Sequence, residues 1–264
     1  MTGHLRGCAV LVTRARHQAA GLSRALESAG ARVAQLPTVE IRALDSEDLN
    51  DRAHSLVPPA DWLIFVSPNA AGIGCELLER LGVTPATGCR IGAVGAGTAR
   101  ELERRGLGVD AVPETGGGGE ALLRLAALAD VGTQRVVIVR GVGGRETLAE
   151  ALRARGAHVD YLEVYRRDPA RVDPGAALRD WRQSAARFTI LTSATGLTNL
   201  LRLVDSVDRE RLLESRVITV SERLAGLVRE AGFRRPAVVA DGADDAALLQ
   251  AVRRAAELED THDG

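Results

Sequence analysis

The sequence predicts an α/β protein built from two similar doubly wound parallel-sheet units, internally duplicated. Three observations support this fold class. Short apolar runs alternate with helical patterns, the runs show no polar alternation, and the same order of segments returns at a constant offset of 126 positions, as from Val10 to Val136. A chain of 264 residues has room for one large or two ordinary domains, and the repeat favours two.

The repeat is clearest between residues 10–33 and 136–159, which align without gaps. The identical pairs are Val10/Val136, Arg14/Arg140, Leu22/Leu148, Ala25/Ala151, Leu26/Leu152, Gly30/Gly156, Ala31/Ala157 and Val33/Val159. Farther along the chain, the same offset places Ser67 over Ser193. We infer an ancestral duplication, which predicts that the two halves share one architecture.

Short apolar runs rich in valine, isoleucine and leucine are the predicted strands. They are residues 8–12, 62–66, 90–94, 109–112, 136–139, 188–192, 216–220 and 237–240. Because these runs lack polar alternation, we expect each strand to be buried on both faces, as in a parallel sheet covered by helices.

Helical patterns lie between the strands. Residues 18–29 place Leu22 and Leu26 on one apolar face, and residues 146–155 repeat this pattern at the offset of the duplication. A glycine directly follows each pattern, which is typical of a helix end.

Two extended segments interrupt this alternation, LPTVEIRAL at 36–44 and LEVYRRDP at 162–169. They lie at the offset of the repeat, and Pro37 and Pro169 bracket extended chain. We expect the chain to cross between domains in these segments. The sequence leaves open whether each half folds by itself or exchanges its first βα piece with the other half.

Composition excludes several kinds of chemistry. All 34 basic residues are arginines, so the chain has no Schiff-base lysine, phosphate-loop lysine or lysine general base. Few aromatic residues and a net charge of −1 argue against nucleic acid and membranes as partners. Dispersed cysteines and histidines fit neither a disulfide framework nor a metal site, so we expect a metal-free protein of the reducing cytoplasm.

Ligands of doubly wound sheets bind beyond the carboxyl ends of the strands. Arg14 and Arg140 follow predicted strands in the two repeats, which suggests carboxylate or phosphate binding. A structural salt bridge to the other domain is the alternative. After Arg140, the glycines of RGVGGRE at 140–146, Gly144 among them, let backbone amides approach an anion.

Hydroxyl and amide side chains follow the other predicted strands. They are Ser67, Asn69, Thr98, Thr192, Ser193 and Ser221. Helix capping is the default explanation for such residues, although a cap at a cleft can still offer amides to a ligand. Four glycines at 116–119 form either an anion-binding nest, a mobile lid or a plain flexible loop. No motif of a nucleophilic triad or a metalloenzyme appears. Backbone amides, hydroxyls and arginines remain, and such groups suit a polyanionic ligand that reacts readily by itself.

The joint order and spacing of five segments resemble the uroporphyrinogen-III synthase family over about residues 5–255. The segments are VLVTRARHQAAGLSRALESAGARVAQLPTVEI, DWLIFVSPNA, IGAVGAGTARELERRG, VVIVRGVGGRETLAEALRARGAHVDYLEVYRR and ILTSATGLTNLL. The resemblance implies two doubly wound domains joined by a two-stranded connector. One domain is then formed by residues 1–36 with 167–264, and the other by residues 37–166.

The resemblance also implies a lyase reaction that uses no cofactor. The substrate is hydroxymethylbilane, an open tetrapyrrole with eight carboxylates, which loses its terminal hydroxyl. Attack at the substituted carbon of ring D gives a spiro intermediate, which fragments and recloses with ring D inverted as uroporphyrinogen III. Uncatalysed closure gives the type I isomer, so the enzyme must hold the chain in one conformation. We expect a cytoplasmic monomer.

The resemblance places Tyr165 at the family's connector tyrosine, whose hydroxyl could help the substrate hydroxyl to leave. The alternative is that Tyr165 only packs the connector. The positions that match the lining of the family's cleft are Ser67, Thr98, Arg140, Gly144, Arg145 and Ser193. Arg14 follows by repeat symmetry. Ser221 and Arg223 replace the second glycine–threonine element of the family, so the contacts from that corner stay open.

Two other functions fit parts of the pattern. A two-domain protein that closes on a polyanionic ligand without chemistry would also show duplicated α/β units with two crossings. A two-domain glycosyltransferase would favour strongly unequal halves, which the uniform offset argues against.

Overall fold

A computed structural model describes residues 5–260, apart from the side chains of His17 and Asp260. Numbered along the chain, the strands are β1 (Cys8–Val12), β2 (Arg32–Gln35), β3 (Val39–Ala43), β4 (Trp62–Phe65), β5 (Arg90–Ala93), β6 (Arg135–Gly141), β7 (His158–Pro169), β8 (Ala186–Ile190), β9 (Arg216–Thr219) and β10 (Val238–Val239). The helices are α1 (Arg16–Ser28), α2 (Glu47–Leu56), α3 (Pro68–Leu81), α4 (Ala96–Arg104), α5 (Gly119–Leu123), α6 (Thr147–Ala154), α7 (Pro174–Arg182), α8 (Ala194–Leu203), α9 (Ser206–Glu214), α10 (Glu222–Glu230) and α11 (Asp245–Asp260).

The chain divides into two compact units. The first contains the chain up to Glu40 and again from Asp168 onwards, and the second is Ile41–Arg167. The chain therefore passes from one unit to the other inside β3 and again inside β7, which are neighbours in one sheet. The boundaries predicted after residues 36 and 166 lie shortly before these crossings.

Each unit is built on one sheet. The strand order is β10-β9-β8-β1-β2 in one sheet and β3-β7-β6-β4-β5 in the other. The pairs β1–β2, β1–β8, β8–β9 and β9–β10 are parallel, as are β4–β5, β4–β6 and β6–β7. The predicted α/β class with parallel sheets is confirmed. Elements of the two units also correspond at the offset of 126, since β5 and α4 fall on β9 and α10.

The structure answers the question of exchange between the halves. β1, from the start of the chain, pairs with β8, with Val10 opposite Phe188. β6, which occupies the same position in the second repeat, pairs instead with β4, with Val137 opposite Leu63. The first βα piece of each repeat therefore completes a sheet with the later strands of the other repeat.

The central strands are buried on both faces, as their continuous apolar sequence predicts. In the second unit, Leu63, Phe65, Val137 and Val139 face one apolar cluster. Their neighbours Trp62, Ile64, Val136 and Ile138 face another. Successive strand residues point to opposite faces, so each strand contributes to both clusters. Within the described residues, no helix is both long and apolar enough to cross a membrane.

One predicted strand was wrong. The run at 109–112 forms only an isolated bridge, between Gly92 and Ala111. Asp110 Oδ2 accepts a hydrogen bond of 2.7 Å from the backbone N–H of Ile91. A side chain thus takes a position at the edge of β5 where a neighbouring strand would otherwise continue the ladder.

Candidate active site

A cleft of about 530 Å³ opens in the second unit, where β4, β5 and β6 end. Glycines, apolar side chains and charged side chains share its lining. The glycines are Gly117, Gly118, Gly119, Gly141, Gly143 and Gly144, and the aliphatic side chains are Val66, Val94, Ile138 and Leu148. The charged residues are Glu120, Arg140, Arg145 and Arg167, and Tyr165 completes the wall beside them. Such a mixture offers amide donors, cations and apolar surface to one ligand.

Tyr165 lies on β7 with its ring buried and its hydroxyl held by two side chains. Arg167 Nη2 donates a hydrogen bond of 2.9 Å to Tyr165 Oη. Ser67 Oγ lies 3.2 Å from the same oxygen, and either hydroxyl can be the donor. The Tyr165 side chain is 1% exposed, so these contacts and the packing fix where its hydroxyl points. The predicted catalytic tyrosine therefore lines the cleft with an oriented hydroxyl.

Ser67 has two roles in this arrangement. It is the N-cap of α3, where its Oγ accepts a hydrogen bond of 3.0 Å from the N–H of Ala70, and Pro68 occupies the first helical turn. The capping explanation for Ser67 is thus confirmed, and the same oxygen also contacts Tyr165. Capping fixes the serine rotamer, so the cap helps to position the tyrosine hydroxyl.

Arg140 lies at the end of β6, and the loop that follows it surrounds its guanidinium. Nη1 donates to Glu146 Oε1 at 2.9 Å and Nη2 to the carbonyl of Gly144 at 2.8 Å. Glu163 Oε1 lies 3.4 Å from Nε, and the guanidinium stacks 4.3 Å above the ring centroid of Tyr161. Two carboxylates compensate this charge, so the observed role of Arg140 is to hold the loop. Its predicted contact with substrate stays a prediction.

The Arg140 contacts extend to a tyrosine on β7. The Tyr161 hydroxyl donates a hydrogen bond to Glu146. This bond, together with the Arg140 guanidinium, holds the pKa of the Glu146 carboxyl below its usual range. Burial and the hydrogen bond to Glu146 raise the pKa of Tyr161. Glu146 is therefore ionised and Tyr161 protonated near neutral pH, and their hydrogen bond, with the contacts of Arg140, restrains the loop of residues 141–146.

Arg145 and Arg167 differ from Arg140 because no carboxylate within residues 5–260 compensates them. Both side chains belong to exposed residues that line the cleft. Among the residues that the structure describes, Arg145 has no hydrogen-bond or ion-pair partner, and Arg167 contacts only the Tyr165 hydroxyl and ring. The cleft thus offers two cations to an anionic ligand. Arg167 was missed in the sequence, although its spacing from Tyr165 on a strand places both side chains on one face.

The four-glycine segment at 116–119 forms part of the cleft wall. Gly118 adopts φ +94°, a conformation that side chains rarely tolerate, and its N–H donates to the carbonyl of Val94 at 2.8 Å. A β-carbon on Gly119 would lie 3.1 Å from Leu148 Cβ. The backbone conformation at 118 therefore favours glycine, a β-carbon at 119 would require Leu148 to shift by a few tenths of an ångström, and the segment contributes backbone to the cleft.

Three predicted residues of the second unit, Ser67, Thr98 and Asn69, are not among the residues that line the cleft, although Ser67 contacts Tyr165, which is. Thr98 is buried in the first turn of α4, where its N–H donates to the carbonyl of Gly95 at 3.0 Å. Asn69 lies partly buried in the first turn of α3. Their predicted contacts with substrate stay predictions.

The remaining predicted residues belong to the first unit. Arg14 Nη1 forms an ion pair of 2.8 Å with Asp245, so its partner comes from its own unit. Ser193 and Ser221 are N-caps of α8 and α10, and Thr192 directly precedes Ser193. The capping explanation is confirmed for both serines, and substrate binding by these residues stays a prediction.

Comparisons with known proteins agree on one family. The sequence model described as uroporphyrinogen-III synthase HemD matches residues 20–250. The uroporphyrinogen-III synthase of Salmonella typhimurium is 34% identical over 246 residues, which cover 92% of this chain and 99% of the relative. That of Escherichia coli is 39% identical over 135 residues, or 51% of this chain and 54% of the relative.

Solved structures show the same fold. The uroporphyrinogen-III synthetase of Helicobacter pylori superimposes with a TM-score of 0.62 at 16% identity, covering 94% of this chain and 99% of the other. A mutant synthase from Thermus thermophilus gives a TM-score of 0.61 at 21% identity, covering 95% and 99%. With the family match over most of the chain, these findings show that the chain belongs to the uroporphyrinogen-III synthase family.

Proposed function

We propose that this chain converts hydroxymethylbilane to uroporphyrinogen III with loss of water, which is a lyase reaction. One observation carries the proposal beyond family membership. The Tyr165 hydroxyl, held by Ser67 and Arg167, lies at the wall of a cleft that offers uncompensated arginines and loop backbone. This arrangement places a proton donor beside groups that bind carboxylates.

The first chemical step is departure of the terminal hydroxyl. Tyr165 Oη gives its proton to this hydroxyl as the C–O bond breaks, and the products are water and an azafulvene cation. The phenolate of Tyr165 is stabilised by the Arg167 guanidinium, which donates to the same oxygen at 2.9 Å. Because the substrate loses its hydroxyl readily by itself, a moderate rate increase from one general acid is sufficient for this step.

The second step is closure with ring D inverted. The substituted carbon of ring D attacks the cation and forms the spiro intermediate, which fragments and recloses at the other carbon. Loss of the ring proton restores the aromatic pyrrole, and the phenolate takes this proton, so protons balance over the cycle. Arg145 and the backbone of the glycine segments hold the carboxylates during these steps, which keeps the chain in the conformation that gives the type III isomer.

The experiment supplies freshly made hydroxymethylbilane, oxidises the products to porphyrins and separates the isomers by chromatography. The proposal expects type III product in excess over a control without protein. Only type I product, equal to the control, would exclude the activity. A protein that binds the substrate without chemistry would show binding by calorimetry and leave the isomer ratio of the control unchanged.

The proposal includes a monomeric enzyme in the cytoplasm. Every residue that lines the described cleft comes from the second unit of a single chain, so this cleft needs no second copy. Light scattering over a hundredfold range of protein concentration should give a constant mass near 27.9 kDa. Cell fractionation tests the compartment, and recovery with the membrane or exported fraction would contradict it.

A further inference from the structure

Arg167 is the cleft cation in closest contact with the reacting hydroxyl of the proposed function. Its Nη2 lies 2.9 Å from Tyr165 Oη, and its guanidinium carbon lies 5.2 Å from the centroid of the Tyr165 ring. Arg140, by contrast, is paired with two carboxylates. Among the described residues, no carboxylate pairs with Arg167, so its positive charge is available to a ligand in the cleft.

The donors and acceptors around Tyr165 Oη determine how Arg167 affects the direction of the phenolic proton. A guanidinium only donates, so it occupies a lone pair of Tyr165 Oη and leaves the phenolic proton to point elsewhere. Ser67 Oγ accepts from the N–H of Ala70 at 3.0 Å and keeps its own proton as a second donor to Oη. When both neighbours donate, the tyrosine proton is directed to a third partner.

The same guanidinium keeps donors for a second partner. Its planar fork carries five N–H groups, and the contact with Tyr165 uses one of them. The remaining groups can bind a carboxylate through two parallel hydrogen bonds. A carboxylate bound in this way lies next to Tyr165 Oη, which places the adjoining carbon skeleton near the proton donor.

We propose that Arg167 binds a carboxylate of the substrate and, through its hydrogen bond to Tyr165, orients the proton donor toward the leaving hydroxyl. This inference rests on the proposed function. Arg167 is thus a binding residue for substrate and a positioning residue for Tyr165. A substrate carboxylate would then pair with this cleft cation, for which the described residues provide no carboxylate partner.

Three substitutions separate the two roles. Arg167→Met removes the charge and the donor, so we expect KM to rise about tenfold and kcat to fall about tenfold. Arg167→Gln keeps a donor without the charge, so KM should rise and kcat should fall less than in Arg167→Met, because the hydroxyl keeps a hydrogen-bond partner but the phenolate loses its counter-charge. Arg167→Lys keeps the charge but loses the two parallel hydrogen bonds, so its KM should lie between those of the wild type and of Arg167→Met. The matched control is Arg124→Met, because Arg124 is exposed and lies outside the cleft lining.

A double-mutant cycle tests the positioning role. In a Tyr165→Phe background, Arg167→Met should raise KM as before but lower kcat no further, since the hydroxyl that it orients is gone. If Arg167→Met lowers kcat by the same factor in the wild-type and the Tyr165→Phe backgrounds, the link to Tyr165 is overturned. If Arg167→Met leaves KM unchanged, carboxylate binding by Arg167 is overturned. If Arg167→Met fails to fold, judged by circular dichroism, the Gln and Lys variants still separate the two roles through their effects on KM and kcat.

The outcome is distinguishable from a failure of the proposed function. If the wild-type protein makes no type III isomer, the function itself is wrong. If the wild type makes type III isomer and all Arg167 variants match it in kcat and KM, only the assignment of Arg167 is overturned.

Discussion

The ring of Tyr165 packs directly against the backbone of Gly141, so closely that a β-carbon at Gly141 would lie 2.5 Å from Tyr165 Cε2 and Cζ. The two residues are partners in the parallel pairing of β6 with β7, at a shift in register that follows Arg140. The N–H of Val142 donates to the carbonyl of Tyr165 at 2.9 Å. Gly141 thus permits the buried position of the tyrosine ring and places the start of the cleft loop beside it.

Gly141→Ala should displace the Tyr165 ring. Forcing a methyl group into this contact costs about 1–3 kcal/mol of stability, and the hydroxyl moves away from Ser67 and Arg167. We expect lower kcat together with a lower midpoint of urea unfolding. The control is Gly226→Ala on α10, where a β-carbon meets nothing within 4 Å and alanine favours the helix. Equal stability and activity of the two variants would contradict the packing account.

Tyr165→Phe should lower turnover and leave the fold intact. The change removes the hydroxyl that contacts Ser67 and Arg167 and keeps the buried ring. Loss of a general acid lowers kcat by about a hundredfold or more in many enzymes, and the facile chemistry here favours a smaller loss, of about tenfold. The measurement is kcat for type III isomer, with circular dichroism as the control for folding. Unchanged turnover would reduce Tyr165 to a packing role.

Arg145→Met should weaken substrate binding. Arg145 is an exposed cleft cation for which the described residues provide no carboxylate partner, so its charge is available to the substrate. We expect KM to rise about tenfold with kcat nearly unchanged, because carboxylate binding is equal in the ground and transition states. Arg124→Met, which removes the same charge outside the cleft lining, should leave KM unchanged. Matching values of KM for the two variants would exclude the predicted contact.

Glu146→Gln should loosen the loop of residues 141–146. Its carboxylate pairs with Arg140 and accepts from Tyr161, and both contacts weaken when the charge is removed. The loop contains Arg145, so trypsin should cut after this residue several-fold faster in the variant, which mass spectrometry can follow. Because the pKa of Glu146 is lowered, its contribution is complete above the ordinary value of 4.5 and is lost as the pH falls through the lowered pKa. Equal cutting rates would contradict the proposed restraint.

Cys75 should make stability depend on pH in the alkaline range. Burial raises the pKa of this thiol from 9.0 to about 11. A folded pKa above the unfolded one stabilises the protein below pH 9, and this contribution of about 3 kcal/mol is lost as the pH rises from 9 through 11. The free energy of unfolding in urea should therefore fall more steeply with pH in the wild type than in Cys75→Ala. Parallel curves would show that the thiol does not ionise as expected.

The local sequence pattern predicted most of the strands correctly. At residues 109–112 the strand prediction was wrong, because a side-chain hydrogen bond interrupts the ladder there. Continuous apolar runs identified the central strands because burial on both faces leaves no polar positions. The run at 109–112 has the same composition, but Asp110 bonds to the N–H of Ile91 and the ladder stops there. Apolar composition reports burial and cannot report which group satisfies a neighbouring backbone N–H.

The cleft was only partly predictable for a related reason. Strand ends and glycine loops indicated the region, because backbone amides and helix starts gather there in any doubly wound sheet. They did not distinguish Arg140, whose charge is compensated by Glu146 and Glu163, from Arg145 and Arg167, which no carboxylate in the described part of the chain compensates. Whether an arginine is available to a ligand depends on neighbours that are distant in sequence.

The sequence by itself determined the parallel α/β class, the repeat at one offset, the two crossing segments and the family resemblance. Only the tertiary structure decided that β1 pairs with β8 and β6 with β4, and that Tyr165, Ser67 and Arg167 meet. The physical reason is that the central strands of both sheets carry similar apolar side chains on both faces. Burial of these side chains therefore stabilises many pairings about equally and does not select a partner strand. Pairing is settled when the whole chain packs, and the contacts of the site follow from that pairing.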